Sequence, residues 1–458
     1  MSNAETMLDR ANAAAFSKAD EVRNSAYALK YHIAAPSGWI NDPNGLVRFG
    51  DRYHVFYQHY PYAPEWGPMH WGHVSSADLA HWRHEPVALA PDMPYEKGCF
   101  SGSGVADGDA LALIYTAHDD DNPIKETQCV ARSFDGGRSF VKSPLNPVIP
   151  CYPEGCTSDF RDPKVWKQDG RWQMVVGTSH DGRGCAALYT GEDLDHWTYR
   201  GLLCESDGTL GSMWECPNFC RVDDQDLLII SPMEMPGHKN IVLFGNFDCA
   251  AGRMSIDHWQ ELDLGEDFYA AQVLYDGDRT LLIGWMDMWG KPYPTQKDGW
   301  AGALTIPREL HVRNGRLLQV PAPELKALRT GKRIDSGDAK SLESLTGDCL
   351  ELNLGMAKGT FILSDPEGEL LRVSLSDGRA TLTLPNGRVA SAPVAPDCET
   401  PGLRVFVDRC SVECFVNGGE VCFSQRIYPK DNALIYRVDS EAKVDAWSLG
   451  DAFEAPVC

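Results

Sequence analysis

The feature that most constrains this chain is a motif that returns at nearly constant spacing. Asp78-Leu79-Ala80-His81-Trp82 reappears as Asp193-Leu194-Asp195-His196-Trp197, with a weaker copy, Asp135-Gly136-Gly137-Arg138-Ser139-Phe140, between them. The copies start at 78, 135 and 193, so they lie 57 and then 58 residues apart. A repeat of that length implies units stacked on one another or arranged around an axis. Each unit holds several short strand-like runs, such as 45–49, 53–58 and 70–76 in the first and 163–168, 172–178 and 186–190 in the third. Turn signals at Gly50-Asp51, Asp169-Gly170 and Asp276-Gly277 separate such runs. Four strands per unit at this period is the pattern of a propeller blade.

Counting units assigns five blades to residues 37–320. After Val320-Pro321-Ala322-Pro323 the character changes, and 321–344 is expected to be a linker with a short helix near 325–330. From 345 to 458 the chain alternates as short strands, and Asn417-Gly418-Gly419 marks a hairpin. About seven strands in that space predict a β-sandwich. The expected fold is all-β, a five-bladed β-propeller followed by a C-terminal β-sandwich. Apolar positions Met7, Ala11, Ala15 and Val22 predict helix in residues 1–36, an extension packing on the propeller.

Bulk properties narrow the partners. The formal charge of −23 comes without a basic run that could follow phosphates, which argues against nucleic acid. No segment approaches the roughly 20 apolar residues of a membrane helix, so no membrane partner is expected. The first residues lack the pattern of a secretory signal, and 15 cysteines without a CxxC pair fit free, mostly buried thiols. In the run Cys410, Val412, Cys414, Val416 the alternation puts thiols on one buried face. Both observations suggest a cytoplasmic address. His70 and His73, three apart in a predicted strand, fall on opposite faces, so no metal is expected there. No cofactor is called for.

Three acids recur near prolines at matching points of the repeat: Asp42 in Trp39-Ile40-Asn41-Asp42-Pro43-Asn44-Gly45, Asp162 in Phe160-Arg161-Asp162-Pro163, and Glu215 in Trp214-Glu215-Cys216-Pro217. Each alone is an ordinary turn signal. In a propeller, equivalent points on different blades converge on one funnel, so the three carboxyls are expected to share a pocket. Paired carboxyls suit glycoside hydrolysis, and Trp39, Trp66, Trp71, Phe100, Trp214, Trp285 and Trp289 crowd nearby as candidate sugar platforms.

These motifs, with Phe56-Tyr57-Gln58, Trp66-Gly67-Pro68-Met69-His70-Trp71-Gly72-His73, Cys99-Phe100-Ser101-Gly102-Ser103 and Asp267-Phe268-Tyr269-Ala270-Ala271-Gln272, resemble glycoside hydrolase family 32, which holds the invertases, fructanases and sucrose-6-phosphate hydrolases. The resemblance implies a retaining β-fructofuranosidase that works through a covalent fructosyl-enzyme. It assigns Asp42 as nucleophile, Glu215 as general acid/base and Asp162 as the holder of fructose hydroxyls. Asn41, Gln58, Trp66, Phe100, Ser101 and Arg161 would line the fructose pocket. Cys216 matches the family's Glu-Cys pair, and Glu234 falls where members meet the leaving sugar.

Chemistry adds a requirement of its own: Glu215 needs surroundings that keep a proton on it, and Asp42 needs donors that keep it ionised. The expected partner is a small carbohydrate, either sucrose, a short fructo-oligosaccharide or sucrose-6-phosphate, although no cluster of cations claims a phosphate. The resemblance also leaves a homo-oligomer open. Three rival readings fit the same residues: a transfructosylase, an inverting propeller glycosidase such as an arabinanase, and a noncatalytic carbohydrate-binding propeller.

Overall fold

A computed structural model describes residues 5–395, 398 and 401–453. The ends of the expected extension and sandwich, 1–4 and 454–458, lie outside the described residues. Five antiparallel sheets follow one another from residue 38 to 321, the first strands being Gly38–Phe49, Gly98–Asp107, Arg161–Gln168, Met213–Val222 and Tyr269–Asp276. These five pack side by side in sequence order, and the last meets the first, which makes them the inner ring of a β-propeller. A two-residue strand, Trp300–Ala301, closes the ring. It leaves fifth-blade sequence and pairs in parallel with Gly38 and Trp39 of blade one.

The repeat has a concrete cause. In each copy the Asp carboxylate accepts from backbone amides that follow it: Asp78 from Ala80 and His81, Asp135 from Arg138 and Ser139, Asp193 from Asp195 and His196. The side chain thereby makes the turn into the blade's outermost strand. Asp248 does the same with Ala250 and Ala251 in blade four, a copy hidden in the sequence because Asp248-Cys249-Ala250-Ala251-Gly252-Arg253 has no aromatic residue closing the motif.

The C-terminal part is a sandwich of a six-stranded and a five-stranded sheet. Leu350, Leu352, Leu354, Phe361, Val373, Val405 and Phe423 fill the space between its sheets. Three expectations need correction here. The span 321–344 is not a linker throughout, because Arg329–Gly337 is an edge strand of the six-stranded sheet, paired with Lys443–Leu449. Its sequence is polar and mostly exposed, so it lacks the apolar alternation that signals a strand. The short helix is a 3-10 turn at Pro323–Leu328, not 325–330. The thiol face is also interrupted: Cys414 lies in the sandwich core, whereas Cys410 packs against Val22 and Trp300 outside it.

The N-terminal segment forms helices Met7–Phe16 and Ala19–Arg23. Ala11 and Ala15 bury against Val87 of blade one. Beyond the helices the segment reaches the sandwich as well, through His32, whose Nδ1 and Nε2 each lie 3.0 Å from a carboxylate oxygen, of Asp408 and Glu413 respectively. Arg308 from blade five pairs with the same Glu413 and with Asp263, all fully buried. Extension, propeller and sandwich therefore share one buried ionic network. No helix among the described residues is long and apolar enough to cross a membrane.

Candidate active site

Each inner strand has a register shift, or bulge, near the end at which the acidic motifs lie. The shifts fall at Ile40/Pro43, Phe100/Gly102, Glu215/Asn218 and Tyr269/Gln272, and opposite Arg161 between Val175 and Gly177. A bulge re-aims the side chain beside it. Asp162, Cys216 and Ala270 accordingly adopt left-handed φ of 66°, 50° and 51°, a conformation unfavourable for residues with a Cβ and held by the surrounding sheets. The proline neighbours are tolerated because the ladder is already broken at these points.

The outcome is one cavity of about 330 Å³. Asn41, Asp42, Gln58, Trp66, Phe100, Ser101, Arg161, Asp162 and Glu215 all line it, together with His118, Asp120, Lys125, Glu126, Asp159 and Trp289. Of the seven aromatic residues noted in sequence, only Trp66, Phe100 and Trp289 face the cavity. Trp39, Trp71, Trp214 and Trp285 are buried core, although Trp39 stacks on Trp289 with ring centroids 5.7 Å apart. Glu234 accepts from the Ser212 hydroxyl at 2.7 Å and does not line the cavity.

Asp42 is held from both sides. Ser101 Oγ donates to Oδ2 at 2.6 Å and Asn41 Nδ2 to Oδ1 at 3.0 Å, while Trp39 Nε1 orients Asn41 through its Oδ1 at 2.7 Å. Burial nevertheless raises the Asp42 pKa above the ordinary carboxylate value, the two donors opposing and the Glu215 charge adding to the rise. The donors expected from sequence are present, but desolvation outweighs them. Asp162 is pushed up to about 7, first by burial and then by the charges of Glu215 and Asp42, against Arg161. Its Oδ2 accepts from the Cys216 amide at 2.8 Å. The Cys216 thiol lies 3.7 Å from Asp42 Oδ2 and 3.5 Å from Asp162 Oδ2, and burial with these acids raises its pKa well above the usual value. That thiol is a protonated donor between two acids.

Glu215 accepts from Arg161 Nη2 at 3.0 Å on Oε1 and from the Tyr269 hydroxyl at 2.5 Å on Oε2. Arg161 is itself aimed by Glu126, at 3.1 and 3.2 Å, and by Asp159 at 3.1 Å. Glu126 is almost fully buried, accepts from the Phe160 amide at 2.7 Å and lies 3.2 Å from His118 Nδ1. The His118 ring stacks on Phe100 with centroids 3.9 Å apart. Glu126, His118 and Tyr269 were missed as site residues. Tyr269 lies inside a matched motif, whereas His118 and Glu126 are on the second and third strands of blade two respectively, away from the repeated acidic positions. Among the described residues no group of three or more His, Cys, Asp or Glu is arranged to hold a metal ion. His54 Nδ1 and His73 Nε2 instead lie 3.0 Å from each other.

Comparison with known proteins agrees with this architecture. Residues 32–321 match the model of the glycosyl hydrolases family 32 N-terminal domain, and 324–449 that of the family's C-terminal domain. The chain is 40% identical to a sucrose-6-phosphate hydrolase of Escherichia coli over 91% of its own length and 92% of the relative's, and 39% identical, with the same coverage, to a raffinose invertase of Escherichia coli. Its fold superposes on a mutant GH32 beta-fructofuranosidase of Bombyx mori in complex with sucrose at a TM-score of 0.89 and 35% identity, covering 99% of this chain and all (100%) of that one. A sucrose-6-phosphate hydrolase from Lactobacillus gasseri superposes at 0.86 with 25% identity, covering 98% of this chain and 100% of that one. With both family domains matched in order over nearly its whole length, this chain belongs to glycoside hydrolase family 32.

Proposed function

We propose that this chain is a retaining β-fructofuranosidase that cleaves terminal fructosyl units from sucrose and short fructo-oligosaccharides. The observation that carries this reading is the arrangement of Asp42 and Glu215. They come from blades one and four, face one cavity, and are each held by hydrogen bonds from at least two different residues.

In the first step the Asp42 carboxylate attacks the anomeric carbon of the fructosyl unit, and Glu215 gives its proton to the departing glycosidic oxygen. A carboxylate–fructosyl ester forms as the glycosidic bond breaks. In the second step Glu215 takes a proton from water, the water oxygen bonds to the same carbon, and Asp42 leaves. Two inversions give net retention. Asp162, buried beside Asp42, accepts hydrogen bonds from fructose hydroxyls that strengthen as positive charge develops on the ring. Asn41 and Ser101 keep the attacking oxygens oriented. Tyr269 and Arg161 hold Glu215 in place for both proton transfers.

The buried side of the cavity, formed by Asn41, Gln58, Ser101 and Asp162, takes the fructosyl unit, and the more open side beyond Glu215 takes the leaving group. All 14 described cysteines are free, which supports a reducing, cytoplasmic setting. The test is Asp42→Asn. The variant should keep its melting temperature, because the removed charge is one that burial disfavours, while sucrose cleavage falls by at least about a thousandfold. Undiminished cleavage by the folded variant would sink the nucleophile assignment.

A further inference from the structure

The open side of the cavity has an electrostatic character that decides between two leaving groups. Six carboxyls line the cavity, those of Asp42, Asp120, Glu126, Asp159, Asp162 and Glu215, against two permanent cations, Lys125 and Arg161. Neither cation is free. Arg161 gives its guanidinium to Glu126, Asp159 and Glu215. Lys125 Nζ lies 3.5 Å from Asp120 and 3.8 Å from Asp159. The one lining histidine, His118, is likewise spanned, with Asp120 at 3.2 Å on Nε2 and Glu126 at 3.2 Å on Nδ1.

Two of these six carboxyls stand toward the open side, which takes the leaving sugar in the fructosidase reading. The side chains of Asp120 and Asp159 are 71% and 47% exposed, so they sit at the mouth and not in the closed end. Asp120 belongs to a run of three, Asp119-Asp120-Asp121, in the turn joining Ala110–His118 to Glu126–Ser133. Lys97, the neighbouring cation of that turn, is taken up by the other two.

We infer that Asp120 and Asp159 set the charge specificity of this enzyme: they exclude a phosphorylated leaving sugar, so sucrose, not sucrose-6-phosphate, is the substrate. The inference rests on the fructosidase reading above and runs against the name of the 40% identical relative. A sugar phosphate brings close to two negative charges at neutral pH. To bind, it must displace Asp159 from both cations or Asp120 from Lys125, and the displaced carboxylates stay nearby as like charges. Like-charge contacts of this kind reject a ligand without any steric clash. A neutral glucosyl group meets the same carboxylates as hydrogen-bond acceptors.

The experiment compares kcat/KM on sucrose and on sucrose-6-phosphate at low salt, for the native chain and for the double variant Asp120→Asn, Asp159→Asn. The native ratio should favour sucrose by about tenfold or more, and the variant should lower that ratio by about tenfold, the effect of roughly 1.4 kcal/mol. A merely structural role would slow both sugars together and leave the ratio unmoved. A native ratio at or below one, or a ratio unchanged in the variant, overturns the inference. Failure of the native chain to cleave either sugar overturns the fructosidase reading itself, a separate outcome.

Discussion

At the residue scale, Asp42 is set by a contest between burial and two donors. Attack requires the ionised form, so kcat/KM falls as pH drops through the Asp42 pKa, which burial places above the ordinary 3.8. Ser101→Ala removes the donor to Oδ2 and should raise that pKa further, moving the acid limb of the pH profile upward by about one unit for a charge-assisted bond of about 1.5 kcal/mol. An acid limb that stays in place would show that Ser101 acts only by packing. The three acids are legible from their equivalent blade positions beside prolines, and the six further residues that the family resemblance implied line the same cavity. Glu126 is not legible. Its context, Lys125-Glu126-Thr127-Gln128, reads as an ordinary strand, and its importance comes from Arg161 and the Phe160 amide, more than 30 residues away.

At the element scale, the propeller depends on how its ring is closed. The Trp300–Ala301 strand ends at Gly302, which has a φ of 84°, and a Cβ there would lie 2.0 Å from the Ile40 carbonyl oxygen. Gly302→Ala must therefore push the closing strand off Gly38–Phe49, two residues before the nucleophile. The expected result is a loss of about 3 kcal/mol or more, seen as a lowered melting temperature, together with reduced activity. A variant as stable as the native chain would show that closure does not rest on this contact. The closing strand has only two residues and no periodicity, so sequence patterning could not reveal it. The sandwich illustrates both cases. Cys349–Gly355 carries a clear alternation of Leu350, Leu352 and Leu354, whereas Arg329–Gly337 is a polar edge strand with no apolar pattern.

At the scale of the whole molecule, the three parts are joined by buried ion pairs between residues more than 100 positions apart, which no local pattern encodes. His32 is the member contributed by the extension. Burial lowers its pKa, but its contacts with Asp408 and Glu413 outweigh that and raise it above 6.5. A raised folded-state pKa stabilises fully below the unfolded value and loses that contribution as pH rises through the folded value. His32→Asn should therefore lower the melting temperature more at pH 6 than at pH 9. An equal loss at both would mean that His32 acts as a neutral ring.

The account stands on two successive displacements at one carbon, with Asp42 as the intermediate partner. It is tested most directly by following sucrose labelled with carbon-13 at the fructosyl anomeric carbon by NMR, reading the first fructose released before it mutarotates. The account predicts β-fructofuranose as the initial product. Initial release of the α-anomer would contradict it, since inversion requires water to attack without a covalent enzyme intermediate.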